Sequence, residues 1–308
     1  MEVAAVAAPL IVWALMCVRL AALTGERVGL NRVGTPANPP AGALVAYGGG
    51  AVVLWGGAWA LGPPAWQSAA LLPGLVYGLS FLLYAWALAL GPLSVVAPWP
   101  AAAALLLWLA DPAGGVAALA SVAAMVAGAV LAAGRGGARH WLPIGIMLAS
   151  DAALAWGRHL DASMQPGALL SYAASVYTVV ALLMAALVWV GGGGALVRRQ
   201  LARQPGWSAV AALSNGAAYV TLVALLRDWP PYLIEALSGA AGVMTGAVGV
   251  WWLREADAGR RLAGAALVGA AAAGLVALTL HPVAAAHGSA AQGAPAPWPR
   301  PAAAASFR

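Results

Sequence analysis

Very few ionisable residues lie inside the long apolar stretches of this sequence, and those few are the first candidates for chemistry. Asp151 lies near the centre of one stretch, Glu235 lies near the start of another, and Arg19 lies deep in the first. Because a charged side chain is costly in hydrocarbon, a functional role is the default hypothesis for such a residue. A carboxylate there could bind a coupling proton or a cationic substrate, so Asp151 and Glu235 are the candidate coupling-ion sites.

Each of these residues also has a structural interpretation. Asp151 could pair with an arginine, such as Arg19, and so hold two helices together. Arg19 could instead extend its long side chain to the membrane interface, which is the interpretation that we favour for it. Glu235 follows Pro231 by four residues, and a proline followed by an acid is common at the start of a helix.

The composition indicates that membrane-spanning helices position these residues. Of the 308 residues, 63% are hydrophobic and 8% are charged, and the mean hydropathy is +0.86. A soluble domain of this size could not cover its surface with so few charges. A crossing helix needs about 20 apolar residues, and ten such stretches are present. The predicted helices are Val3–Leu23, Ala41–Leu61, Trp66–Leu90, Leu93–Ala110, Gly114–Ala133, Trp141–Arg158, Gly167–Val190, Trp207–Leu226, Tyr232–Leu253 and Leu262–Leu280.

The ten helices divide into two similar halves. Trp66 and Trp207 each begin the third helix of their half, and a proline-containing break follows that helix in both halves. An odd number of crossings inserts the second half upside down, as in many secondary transporters. The predicted fold class is therefore an all-α integral membrane protein with ten transmembrane helices in two inverted five-helix repeats. The predicted domains are the first repeat (1–133), a polar linker (134–140), the second repeat (141–281) and a disordered tail rich in alanine and proline (282–308).

Arginine is distributed unevenly between the segments that connect the helices, and this asymmetry predicts the orientation. One set of segments holds Arg27, Arg32, Arg135, Arg139, Arg198, Arg199, Arg203, Arg254, Arg260 and Arg261. The other set holds Arg158, Arg227 and, in the tail, Arg300 and Arg308. Because arginine is enriched on the cytoplasmic side, the first set should be cytoplasmic. Both termini should then lie on the opposite, outer side of the cell membrane. We interpret Glu255 and its charged neighbours as an ordinary solvated loop.

Other classes of function have little support in the sequence. The single cysteine, Cys17, allows no internal disulfide, and no cluster with metal-ligand spacing is present. The sequence contains no nucleotide-binding loop, no HExxH motif and no GxSxG motif, so we expect neither an enzyme nor a cofactor. The net charge of +6 is explained by membrane orientation, so we expect no nucleic-acid partner.

Glycine spacing predicts where helices approach each other closely. Gly242 and Gly246 form a GxxxG step in the ninth helix, and Gly264 begins a series of small residues in the tenth. Small residues let two helices approach and slide. Leucine in place of Gly246 is therefore expected to disturb assembly or motion.

Two segments carry motifs of a known family. The first is Tyr84–Pro98 (YAWALALGPLSVVAP), and the second is Trp251–Glu255 (WWLRE) followed by Arg261–Gly274. Both are similar to EamA-type members of the drug/metabolite transporter superfamily, which also often have a tryptophan at the place of Trp13. The sequence departs from the family pattern at Asp111, at Trp229–Tyr232 and at Arg254. The family also more often keeps both termini in the cytoplasm, opposite to the arginine-based prediction.

The resemblance implies a secondary transporter that moves a small organic metabolite or drug-like solute by alternating access. It places the third and eighth helices beside a cavity, which favours Tyr77, Asn215 and Tyr219 as ligands. The candidate substrate-binding residues are Trp13, Tyr77, Trp86, Asp151, Asn215 and Tyr219. The expected partners are the lipid bilayer, the solute and, as a separate hypothesis, protons, and the protein would be a monomer or homodimer. Three alternatives remain: a flippase for a lipid-linked group, a non-transporting membrane scaffold, and a membrane enzyme.

Overall fold

The computed structural model describes residues 2–110, 115–134, 138–163, 168–227, 229–255 and 257–288, and over these residues its regular structure is entirely helical. The α-helices are α1 (Glu2–Val33), α2 (Pro39–Ala43), α3 (Gly49–Leu61), α4 (Leu71–Leu90), α5 (Leu93–Val96), α6 (Ala101–Ala110), α7 (Gly115–Ala133), α8 (Ala138–Ser163), α9 (Leu169–Val190), α10 (Gly194–Arg203), α11 (Pro205–Leu225), α12 (Pro231–Ala247) and α13 (Ala258–Gly288). A π-helical segment, Leu44–Gly48, joins α2 to α3, and another, Val248–Trp252, extends α12.

Eight helical segments in the described part of the chain are long and apolar enough to cross a membrane. They are Pro39–Leu61, Ser68–Leu90, Leu93–Ala110, Val116–Ala133, Leu169–Val190, Pro205–Leu225, Pro231–Trp252 and Ala258–Leu278. They match eight of the ten predicted helices, with ends that differ by a few residues. The protein is therefore an all-α, multi-pass membrane protein.

The helices observed at the remaining two predicted positions, α1 and α8, are longer than the hydropathy pattern predicts. The first predicted helix ends at Leu23, but α1 continues to Val33 and includes the buried residues Glu26 and Arg27. The sixth predicted helix ends at Arg158, but α8 continues to Ser163 and includes the buried Asp161. In both helices, charged residues that resemble a helix end in sequence instead face the protein interior.

Three further segments bear on the predicted boundaries. The segment after α9 contains a short helix, α10, none of whose residues is buried and which carries Arg198, Arg199 and Arg203. The last helix, α13, continues to Gly288, into the segment predicted as a tail. Asp111, residues 135–137 of the predicted linker, and residues 289–308 lie outside the described residues.

The helices pack in pairs that join the part of the chain before residue 134 to the part after it. The most extensive contacts are those of α7 with α13, α1 with α11, and α4 with α8. Further contacts of the same kind join α3 to α9 and α6 to α12. The interior of the bundle is consequently lined by both halves of the chain.

Glycines allow the closest of these contacts. A Cβ atom built on Gly264 of α13 would lie 2.5 Å from the carbonyl oxygen of Gly128, and one built on Gly128 of α7 would lie 2.7 Å from the carbonyl oxygen of Gly264. On α1, a Cβ atom at Gly29 would lie 2.9 Å from the Cα atom of Ala211 on α11. The crossing helices therefore touch backbone to backbone, as close membrane helix pairs do.

The distribution of side chains is opposite to that of a soluble protein. Large apolar residues are exposed over the outer surface, and they include nine tryptophans: Trp13, Trp59, Trp66, Trp86, Trp141, Trp156, Trp189, Trp251 and Trp252. Among the residues whose burial is described, eight charged side chains are buried, namely Arg19, Glu26, Arg27, Asp151, Arg158, Asp161, Glu235 and Arg261. Burying a charge is costly unless it is paired, so the contacts of these residues locate the candidate site.

Candidate functional site

Glu235 forms a buried bridge between two arginines from different helices. The Nε atom of Arg158, on α8, donates to Oε1 of Glu235, on α12, at 2.6 Å. The Nη2 atom of Arg19, on α1, lies 3.4 Å from the same oxygen. All three side chains are almost completely buried. This three-residue ion cluster therefore ties α1, α8 and α12 together at the centre of the bundle.

Arg19 does not extend to the membrane interface, so the interpretation favoured from sequence is wrong. Its Nη1 atom donates to the carbonyl oxygen of Ala218 at 2.7 Å, and Nη2 donates to the hydroxyl of Ser238 at 2.7 Å. Pairing of Arg19 with Asp151 is also not observed, since the acid that Arg19 contacts is Glu235. The reading of Glu235 as a simple helix-start residue is incomplete, because its carboxylate faces two guanidinium groups.

Arg27, two turns further along α1, has only neutral partners. Its Nε atom donates to the hydroxyl of Tyr84 at 3.1 Å, and Nη2 donates to the carbonyl oxygen of Ser238 at 2.8 Å. Its Nη1 atom is buried and has no hydrogen-bond partner. The adjacent Glu26 accepts instead from the side-chain amide of Asn215 at 3.1 Å and, at 3.5 Å, from the hydroxyl of Tyr47.

Asp161 accepts hydrogen bonds from three tyrosines. The hydroxyl of Tyr77 donates to Oδ2 at 2.6 Å, that of Tyr172 donates to Oδ1 at 2.7 Å, and that of Tyr219 lies 3.0 Å from Oδ2. Arg158 donates from Nη1 to the hydroxyl of Tyr77 at 2.9 Å and lies over its ring. We call Asp161 with these three tyrosines the tyrosine cluster. It links α4, α8, α9 and α11.

A cavity lies between these polar groups. Its empty space of about 490 Å³ includes space that is open to the outside. Of its lining residues, eight come from the chain before residue 134 and eight from the chain after it. The charged lining residues are Arg19, Glu26, Arg27, Arg158 and Glu235. Both halves of the molecule therefore build one charged internal site.

Aromatic rings form one wall of the cavity. Phe81, Tyr177 and Tyr219 line it, and the rings of Tyr177 and Tyr219 have centroids 5.0 Å apart. Behind them, Tyr47 stacks on Phe81 with centroids 4.4 Å apart. Tyr177 also donates through its hydroxyl to the side-chain oxygen of Asn215. The wall is therefore rigid, with tyrosine hydroxyls satisfied by buried acceptors.

The structure brings some of the candidate residues from the sequence together and separates others. Tyr219 and Glu235 line the cavity. Tyr77 and Asn215 are buried and contact the lining residues Arg158 and Glu26, respectively. By contrast, Trp13 and Trp86 are exposed on the outer surface, 53% and 37%. Those two tryptophans therefore do not form walls of this cavity.

Asp151 is the most isolated charged residue of the interior. It is fully buried on α8, and neither of its carboxylate oxygens has a hydrogen-bond partner in the part of the chain that the structure describes. The preceding residue, Ser150, exchanges hydrogen bonds with Ser80 of α4, each hydroxyl donating to the other's carbonyl oxygen at 2.9–3.0 Å. Asp151 therefore plays no visible part in holding α8 to its neighbours.

Glu255 is partly buried in a second cluster, so the prediction from sequence that it belongs to an ordinary solvated loop is wrong. Its carboxylate accepts from the backbone N–H groups of Leu93 at 2.6 Å and Ser94 at 3.0 Å, at the start of α5, and also from the Ser94 hydroxyl. The Nη1 atom of Arg261 donates to Glu255 at 3.0 Å and to Ser94 at 2.8 Å. We call these residues the Glu255 clasp. It joins the two halves of the chain at a place away from the cavity.

The ion cluster, the tyrosine cluster and the Glu255 clasp are not suited to a metal ion. Within the described ranges, no group of three or more histidine, cysteine, aspartate or glutamate side chains could hold one. The donors around the cavity are instead guanidinium and hydroxyl groups. This chemistry can bind and orient a polar solute.

Comparisons with known proteins establish the fold and leave the activity open. No family model matches the sequence, and no curated protein matches it. A crystal structure of another protein is similar, with a TM-score of 0.59 and 20% sequence identity, over 86% of this chain and 99% of that chain. At that identity the likeness shows a shared fold alone.

Proposed function

We propose that this protein is a secondary transporter of the drug/metabolite transporter type that moves a small organic solute across the membrane by alternating access. The observation that carries the proposal is the charged cavity, which both halves of the chain line equally. Charged groups inside a membrane protein mark substrate or ion pathways more often than they serve structure alone. Transport sites of this kind lie between two halves, near the bilayer midplane.

The proposal adds α1 and α8 to the eight apolar helices, giving ten crossings. Both are long enough, at 32 and 26 residues, since about 20 residues span the hydrocarbon. Their charges do not oppose insertion, because Arg19, Glu26, Arg27, Arg158 and Asp161 all face the interior.

An inverted repeat is supported by the way in which helices pair. If the second five helices repeat the first, then α8 corresponds to α1, and α11 corresponds to α4. The contact of α1 with α11 then has its counterpart in the contact of α8 with α4, and both are extensive. Glycines mark both contacts, with Gly25 against Ser214 in the first and Gly157 against Tyr77 in the second. The α7–α13 pair, which crosses at Gly128 and Gly264, would then lie on the pseudo-two-fold axis of the repeat.

The orientation remains the one that the arginines favour. Arg27, Arg158 and Arg261 no longer count, because they are buried. The exposed α10 still places Arg198 and its neighbours on the arginine-rich side, which the positive-inside rule assigns to the cytoplasm.

The two clusters that join the halves would close opposite ends of the pathway. The tyrosine cluster lies where α8 ends and α9 begins, and the Glu255 clasp lies between α12 and α13. Three crossing helices, α9, α11 and α12, separate the two places along the chain, so they lie on opposite faces of the membrane. Alternating access requires that one cluster separate while the other stays joined.

Glu255→Gln should open the clasp end. Glutamine keeps one accepting oxygen but loses the charge that Arg261 and two backbone N–H groups share, and such bonds contribute about 1.5–3 kcal/mol each. In a Cys17→Ser background, a cavity cysteine introduced by Leu23→Cys should react with a membrane-impermeant maleimide from that side roughly tenfold faster. Asp257→Asn, which changes an exposed acid of the same loop, is the matched control. Equal rates in both variants would remove the clasp from the gating scheme.

Proton coupling is a separate proposal, and it favours Asp151 over Glu235. Glu235 already pairs with two arginines, whereas Asp151 has no hydrogen-bond partner among the described residues, and an unpaired buried carboxylate is costly in its charged form. Asp151→Asn should therefore preserve folding and downhill flux but abolish accumulation driven by a pH gradient. Accumulation is measured in liposomes with an imposed gradient. Undiminished accumulation by this variant would eliminate Asp151 as the coupling residue.

A flux screen tests the transport proposal itself. Liposomes containing the purified protein are loaded with a mixture of metabolites, and the external medium is followed by mass spectrometry. One solute, or a few chemically related ones, should leave faster than from protein-free liposomes. A parallel assay follows a fluorescent lipid between leaflets. Lipid movement without solute movement would replace the proposal with the flippase alternative, and no movement of either would refute it.

A further inference from the structure

We infer that the transported solute is a small organic anion and that Arg27 is the residue that binds its anionic group. The inference rests on the proposed transport function, because it assigns the chemistry of that same cavity. It follows from the distribution of charge around the cavity, from one unused donor, and from the apolar remainder of the lining.

The charges around the cavity leave one guanidinium group without a carboxylate. Three arginines line it, against two glutamates. Glu235 is shared by Arg19 and Arg158, and Glu26 is engaged by neutral donors. Among the described residues, no carboxylate lies within 4.0 Å of Arg27. Arg27 is therefore a buried guanidinium group that no carboxylate of the described residues contacts directly.

The same guanidinium group is held in place with one donor unused. Tyr84 and Ser238 accept from Nε and Nη2 of Arg27, which fixes the plane of the group. Within the described ranges, Nη1 has no hydrogen-bond partner although Arg27 is only 1% exposed. Arg19, which also lines the cavity, has an unpartnered Nε atom. Oriented guanidinium N–H groups match carboxylate and phosphate oxygens, and a donor held in advance loses little entropy on binding.

Asp151 does not remove the need for an external anion. Its carboxylate lies near enough to Arg27 to interact with it electrostatically, but it forms no hydrogen bond or ion pair with Arg27. The remaining lining includes Leu23, Phe81 and Leu154, which a purely inorganic ion would leave in contact with water. An organic acid covers this apolar surface and gives its charge to Arg27.

Matched pairs of probes test the inference in the intact, purified protein. The probes are benzoate with benzamide, succinate with succinamide, and glucose 6-phosphate with glucose, at constant ionic strength. The apparent melting temperature is followed against probe concentration, and the same solutes are used in the liposome flux assay. At least one anion should raise the melting temperature in a saturable manner, and its neutral partner should not. Comparing the carboxylates with the phosphate shows which anionic group is preferred.

Variants assign the binding to Arg27. Arg27→Gln should weaken the Kd of the responding anion about 10- to 100-fold, whereas Arg198→Gln, at an exposed position of α10, should not change it. Arg27→Lys keeps the charge without the planar guanidinium group and should give an intermediate loss of anion affinity. It replaces the glutamine variant in this test if that variant does not fold. Equal stabilisation by neutral partners, no response to any anion, or an unchanged Kd in the Arg27 variants would overturn the inference. Flux of neutral solutes alone would overturn the anion inference and leave the transport proposal intact. Anion binding without flux would support Arg27 as the anion site and refute the transport proposal.

Discussion

Glu235→Gln is expected to lower the free energy of unfolding by about 3–5 kcal/mol, the usual cost of leaving a buried charge unpaired. Glutamine occupies the same space, so the loss comes from charge and not from packing. The substitution leaves the guanidinium groups of Arg19 and Arg158 in the interior without the carboxylate that they share. Unfolding by denaturant in mixed micelles measures the change. Asp257→Asn, which breaks an exposed ion pair with Arg260, should cost less than about 1 kcal/mol.

A double-variant cycle separates pairing from a general effect of the site. Arg158→Gln combined with Glu235→Gln removes one charge of each sign, so the combined loss should be smaller than the sum of the single losses. The coupling energy should be about 1–3 kcal/mol. Additive losses, or a Glu235→Gln protein as stable as the unchanged one, would mean that the ion cluster does not organise the centre of the bundle.

Gly264→Leu is expected to prevent stable packing of the last helix, with a loss of about 3 kcal/mol or more, since overpacking against rigid neighbours exceeds the ordinary cost. Even the first added carbon would lie 2.5 Å from backbone atoms of Gly128 and Ala132. Backbone atoms cannot move aside as a flexible side chain can. Folded yield by size-exclusion chromatography and thermal unfolding in detergent measure the effect.

Two other glycines provide graded controls. A Cβ atom at Gly246 would lie 3.3 Å from the Cβ atom of Ala265, a tight contact with a side chain, so leucine there should cost less than at Gly264. A Cβ atom at Gly259, on the same helix as Gly264, would meet nothing within 4 Å, so Gly259→Leu should be nearly neutral. An equal effect at Gly259 and Gly264 would contradict the backbone contact as the cause.

The sequence predicted the crossing helices well where they are purely apolar and poorly where they carry buried charges. All eight apolar segments were predicted because hydropathy reports contact with lipid directly. In α1 and α8, Glu26, Arg27 and Asp161 were read as helix ends or loops. A hydropathy profile cannot distinguish a charge that faces water from one that faces a partner across the bundle, because the partner is distant in sequence.

Spacing contained a usable signal for part of the site. Arg19 and Glu26 are seven residues apart on α1, and Asp151 and Arg158 are seven residues apart on α8. A seven-residue step returns to the same face of a helix, so both pairs face inward together. Composition alone could not reveal that tyrosine and tryptophan differ in burial. The tyrosine hydroxyls lie in the interior, whereas most tryptophans are exposed on the outer surface.

Other contacts had no local signal. Glu255 reaches the start of α5 across more than 160 residues of chain, and the Asp161 carboxylate collects three tyrosines from three other helices. Each of these residues looks ordinary beside its sequence neighbours. Only the packing of the two halves brings them together.

Distances across the two ends of the pathway test the central claim most directly. In a Cys17→Ser background, spin labels at Ala37→Cys and Arg254→Cys report the clasp end, and labels at Ser68→Cys and Ser163→Cys report the end of the tyrosine cluster. Double electron–electron resonance is recorded in liposomes with and without Glu255→Gln. Two halves that rock about a central cavity should lengthen the first distance while the second, across the joined tyrosine cluster, does not lengthen. Distances that stay fixed at both ends, or that lengthen together, would contradict the account.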